Sequence, residues 1–120
     1  MISTYQEARA LLNGRATKKL ANNTYARVLD DGSVAIALHG TDVVTWEPDG
    51  KCILRSGGWN TSTTRDRIQT YGPVRTCQRK GVFYISPMDN WELFPFENGM
   101  VIENGVISVP DGCPTKENAE

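Results

Sequence analysis

The sequence holds 120 residues, 39% of them hydrophobic and 22% charged, with a formal net charge of −1. That is enough chain to bury one core without metal or disulfide staples and too little for two independent ones. A composition this apolar does not fit a disordered chain, and a charge this close to zero speaks against one held to nucleic acid by bulk electrostatics alone.

Thr4, followed three residues on by Glu7, has the form of a capping box and predicts a helix reaching about Gly14, with Ala8, Leu11 and Leu12 as its buried stripe. Arg15, Lys18 and Lys19 then either complement the negative helix end or continue a second short turn before Asn22-Asn23. From Thr24 the pattern predicts strands. Asp31-Gly32 separates Tyr25–Leu29 from Val34–Leu38 as the tight turn of a hairpin, and Glu47-Pro48-Asp49-Gly50 separates Asp42–Trp46 from Lys51–Leu54 in the same way. Ser56-Gly57-Gly58-Trp59 breaks the alternation, and Thr63 with Asp66 then predicts a second, short helix stopped by Gly72-Pro73. Val74–Gln78, Val82–Ser86, Trp91–Phe96, Met100–Ile102 and Val106–Val109 follow as short strands, with turns at Lys80-Gly81, Asn98-Gly99 and Asn104-Gly105. The expected fold class is α+β: an antiparallel meander of about seven to nine short strands with an N-terminal helix and a short central helix. One domain over residues 1–114 and a flexible tail over residues 115–120 complete the expected organisation.

Residues 1–12 show no basic stretch leading into an apolar run, and no apolar run reaches the ~18 residues of a membrane span, so neither export nor a membrane partner is expected. Cys52, Cys77 and Cys113 are odd in number and widely spaced, which suits reduced thiols in a cytoplasm. The charge is uneven: residues 1–28 and 51–80 together hold all but one of the 13 basic side chains. If those stretches share a face, that face attracts an anionic ligand or nucleic acid; otherwise they are ordinary solvated charges.

The densest polar chemistry lies in Leu38–Asp42 and in Arg55–Arg67. Consecutive Gly57 and Gly58 let backbone amides approach a ligand, and a helix start near Thr64 presents further amides. Arg55, Arg65 and Arg67 are placed to complete an anion site, and Trp59 to stack on a planar base. The competing structural reading makes the glycines a tight bend, the threonines a helix cap and Trp59 a plug in the core. His39 and Asp42 have the residue types of an oriented general base, yet no nucleophile is fixed beside them, so a backbone-bonded histidine and a turn-capping aspartate are the preferred reading. A lone histidine among scattered carboxylates gives no metal site, and phosphate-loop and dinucleotide fingerprints are missing, so no cofactor is expected. Aromatic residues on the late strands, Phe83, Tyr84, Trp91, Phe94 and Phe96, alternate and so present some members outward as a partner surface, and open strand edges allow a homo-oligomer.

The run Ala21-Asn22-Asn23-Thr24-Tyr25, then Leu38-His39-Gly40-Thr41-Asp42-Val43-Val44-Thr45, Pro48-Asp49-Gly50, Ser56-Gly57-Gly58-Trp59, Thr63-Thr64-Arg65-Asp66-Arg67-Ile68 and Phe94-Pro95-Phe96-Glu97-Asn98-Gly99-Met100, resembles a family of small uncharacterised bacteriophage proteins. The resemblance covers about residues 18–102 and implies a phage-type accessory protein acting inside a bacterial host, with no catalytic assignment. The expected function is therefore a non-enzymatic binding protein. It would inhibit a bacterial antiviral defence by sequestering a small anionic or nucleotide-like ligand, or a host protein, through His39, Asp42, Arg55, Gly57, Gly58, Trp59, Thr64, Arg65 and Arg67. The alternatives are a nucleic-acid-binding regulator using the basic stretches and a small hydrolase using His39 and Asp42.

Overall fold

A computed structural model describes residues 2–88 and 91–108. The expected tail, the domain boundary at residue 114, Cys113 and the end of the last strand at Val109 lie outside the described residues. The chain begins with helix α1 (Tyr5–Leu11), capped by Thr4, whose Oγ1 accepts from the Glu7 amide at 3.1 Å. Of the expected stripe, Ala8 and Leu12 are buried and Leu11 is only partly so.

Five strands follow as an antiparallel meander: β1 (Thr17–Ala21), β2 (Thr24–Val28), β3 (Val34–Leu38), β4 (Thr41–Trp46) and β5 (Cys52–Leu54). β1 corrects the reading of Lys18 and Lys19 as residues trailing a helix: both lie on this strand, paired with Ala26 and Tyr25. Lysines on an edge strand guard its unpaired backbone, so charge there hides a strand from a hydrophobicity pattern. After β5 the chain leaves the sheet, forms α2 (Ser62–Tyr71), and builds a second sheet from β6 (Val74–Arg79), β7 (Val82–Pro87) and β8 (Phe94–Pro95). It then returns, pairing β9 (Met100–Glu103) antiparallel with β5 and ending with β10 (Val106–Ser108).

The class α+β stands in this strand-rich form, with two helices and ten strands among the described residues. The single meander does not, because α2 and the three-stranded sheet are inserted between β5 and β9. The expected strand Trp91–Phe96 contracts to Phe94–Pro95, the two residues that pair with Ile85 and Tyr84 of β7. Helix α2 starts two residues earlier than expected: Thr61, not Thr63, is the N-cap, its Oγ1 accepting from the Thr64 amide at 3.1 Å.

One face of the large sheet builds the core. Ala26, Val34, Ile36, Val44, Trp46, Cys52, Leu54, Met100 and Ile102 pack in one cluster with Ala8 and Leu12 near α1, Ile68 of α2, and Val74, Phe83 and Ile85 of the small sheet. Trp46 adds a directional tie, its Nε1 donating to the Tyr71 carbonyl at the end of α2 at 2.9 Å.

Candidate functional site

The β3–β4 turn is the two residues His39 and Gly40, between paired Leu38 and Thr41, and both have positive φ (51° and 84°). Two central residues of positive φ match the right-handed twist of the strands they join, which explains how a histidine comes to stand exposed at a hairpin tip. Just beyond the tip the register shifts: Ile36 pairs with Val44 but Ala37 with Asp42, leaving Val43 as an extra residue. Such a bulge re-aims side chains. Val43 and Val44 are consequently both buried, and Val43 joins Leu38 and Thr41 beside the tip.

The loop after β5 closes over this region. Gly57 (φ 65°) sits so near Thr41 that a Cβ there would come within 2.9 Å of its Cγ2. The loop is held from far along the chain by Asn98, whose Oδ1 accepts from the amides of Ser56 at 2.6 Å and Gly57 at 3.2 Å. The Gly58 amide donates to Ser56 Oγ at 3.2 Å, and the Trp59 amide to the Ser56 carbonyl at 3.1 Å. Between hairpin tip, loop and the start of α2 lies a cleft of about 530 Å³. Its buried side is Leu38 and Val43; hydroxyls come from Thr41, Ser56, Thr61, Thr63 and Thr64; its aromatic groups are His39 and Trp59. Thr61 and Thr64 hydroxyls also bond each other at 2.9 Å. Trp59 is 62% exposed, so the alternative that it plugs the core is set aside.

His39, Trp59 and Thr64 thus come together on one cleft, with Gly57 and Gly58 shaping its loop. The remaining expected residues point elsewhere. Asp42 alternates with Thr41 and so lies on the opposite face of the sheet, where Arg27 grips its carboxylate with two bonds of 2.6 and 2.8 Å. That pairing raises the Arg27 pKa, and the carboxylate that would orient His39 is occupied. Arg67 Nε donates to Thr24 Oγ1 at 2.8 Å, tying α2 to β2, and its Nη1 bonds Asp66. Arg65 Nη1 donates to Asn60 Oδ1, and Arg55, exposed after β5, is not among the lining side chains. Leu38, Thr41, Val43, Ser56, Thr61 and Thr63 join the site without having been singled out. The polar segments around His39 and Trp59 contain all of these but Val43, and the bulge that turns Val43 inward has no signature in the chain.

A second cleft of about 290 Å³ runs from the start of α1 to the Asn104-Gly105 turn, without aromatic stacking surface beyond Tyr5 and the buried Trp46. Among the described residues no group of histidine, cysteine and carboxylates could hold a metal ion, and no helix is long and apolar enough to cross a membrane.

The fold and its cleft thus define a small strand-rich α+β protein with a pocket of hydroxyls and aromatic rings. The chain belongs to a bacteriophage family, the Kyanoviridae Gp96 protein family, whose profile matches residues 2–103. No curated protein and no solved structure matches it.

Proposed function

We propose that this phage protein is a non-enzymatic binding protein that holds a small planar, nucleotide-like ligand in the cleft between the β3–β4 tip and α2. The observation that carries the reading is the exposed Trp59 at a cleft whose lining also includes the buried apolar side chains Leu38 and Val43. Concave sites with an apolar wall and a few convergent polar groups are where small ligands bind, and an exposed indole offers a stacking face to any base. The proposed setting is the cytoplasm of the bacterial host, where removing a nucleotide signal would blunt an antiviral defence.

A nucleic-acid surface is less well supported, because many basic side chains are engaged within the protein. Arg27 is bound to Asp42, Lys51 to Asp49, Arg67 to Asp66, and Arg75 to the carbonyls of Pro87 and Met88. A hydrolase built on His39 and Asp42 lacks its assembled pair.

The test is a thermal-denaturation screen of the purified protein against nucleosides, mononucleotides and cyclic or linear oligonucleotide signals. A ligand at a hundred times its Kd stabilises the folded state by about 2.7 kcal/mol, a shift of several degrees in a domain of this size. No shift with any of them removes the ligand-binding reading.

A further inference from the structure

Resting on that reading of the cleft, we propose that it recognises an uncharged heteroaromatic ring, the base or nucleoside part of its ligand, and provides no site for phosphate. Phosphate recognition needs free convergent amides or a guanidinium or ammonium group. The loop that would supply the amides has turned them inward: Ser56 and Gly57 donate to Asn98 Oδ1, Gly58 to Ser56 Oγ, and Trp59 to the Ser56 carbonyl. At the start of α2 the Thr64 amide donates to Thr61 Oγ1 and the Arg65 amide to the Thr61 carbonyl, which leaves the helix only the Ser62 and Thr63 amides, without a cationic side chain among the residues lining the cleft.

The cationic side chains nearest in sequence do not supply the charge either. Arg65 reaches back to Asn60, Arg67 to Thr24 and Asp66, and among the described residues no arginine or lysine lines the cleft. What does line it suits a neutral ring. The Trp59 indole and the His39 imidazole offer faces, Leu38 and Val43 exclude water from one wall, and the threonine hydroxyls can each donate or accept toward the mixed edge of a base.

The experiment is calorimetric titration of the full chain with adenosine, guanosine, cytidine and uridine, with their 5′-mono- and triphosphates, and with inorganic phosphate, at low and high sodium chloride. The expected result is that the best nucleoside binds within about threefold of its own nucleotides, and that its affinity changes less than about threefold between roughly 50 and 500 mM salt, since no phosphate contact is screened. Inorganic phosphate does not compete. Trp59→Ala weakens the nucleoside at least about tenfold, as loss of a stacking partner should, while Trp91→Phe, at the other exposed indole, leaves it unchanged. A nucleotide at least about tenfold tighter than its nucleoside, with binding that falls steeply in salt, overturns this proposal and leaves the cleft reading standing. Binding of neither nucleosides nor nucleotides overturns both.

Discussion

Asn98 lies 42 residues from Ser56, yet its Oδ1 accepts from the amides of both Ser56 and Gly57, so one carbonyl oxygen fixes the loop that carries Trp59. Asn98→Ala leaves two backbone donors of that loop without their acceptor, at a cost of about 1–3 kcal/mol. Asn98→Asp keeps an acceptor oxygen in place and recovers most of that loss. Ligand affinity should follow the same order, wild type, then Asp, then Ala, in calorimetric titration, because Trp59 is only as well placed as the loop beneath it. Equal affinity in all three proteins would show that Asn98 plays no part in positioning Trp59. The sequence marks Asn98 as half of an Asn98-Gly99 turn and nothing more, since a side-chain contact over such a separation has no local pattern. Trp59 itself was legible as a ligand-stacking candidate, but its alternative as a core plug could be dismissed only once its exposure was known.

At the scale of elements, the turns were the most readable part of the chain. Lys80-Gly81 and Asn104-Gly105 both occupy two-residue turns with positive φ at each position, between Arg79 and Val82 and between Glu103 and Val106. The capping box of α1 was equally legible, and its chemistry gives a pH dependence. Glu7 Oε1 accepts from the Ser3 amide at 2.9 Å, from Ser3 Oγ at 2.8 Å and from Thr4 Oγ1 at 3.3 Å. These bonds, that from the Ser3 backbone first, hold the carboxyl below its ordinary value of 4.5. A lowered folded-state pKa means that the cap's contribution is present above the unfolded value and disappears as pH falls through the folded one. The Ser3 amide resonance should therefore titrate with a midpoint below 4.5, and Glu7→Gln should abolish that titration. A midpoint at or above 4.5 would contradict the bonding described. What the elements concealed was pairing rather than identity. β5 meets β9 across an insertion of one helix and three strands, and strand alternation after Thr41 sends Asp42 to the face away from the cleft although His39 is only three positions earlier.

For the whole molecule, the question raised by two sheets is whether they unfold as one. Ile85 is fully buried in the small sheet and belongs to the same apolar cluster as Val34, Ile36 and Trp46 of the large one. Helix α2 lies between them in the chain and bonds to both: its Tyr71 carbonyl accepts from Trp46, its Arg65 carbonyl from the Thr76 hydroxyl of β6. A cluster shared in this way couples the sheets, because opening either exposes apolar surface of the other. Ile85→Ala removes buried atoms and leaves a cavity, costing about 2–5 kcal/mol. That loss should lower the stability of the large sheet as much as that of the small one. In urea, the near-ultraviolet signal of buried Trp46 and the far-ultraviolet signal of the strands should then shift to lower denaturant together, with coincident midpoints, as a single cooperative transition. A far-ultraviolet loss that precedes the Trp46 signal would instead make the small sheet an independent unit, and the cleft, whose Trp59 and α2 hydroxyls stand between the sheets in sequence, would then sit at the junction of two folding units.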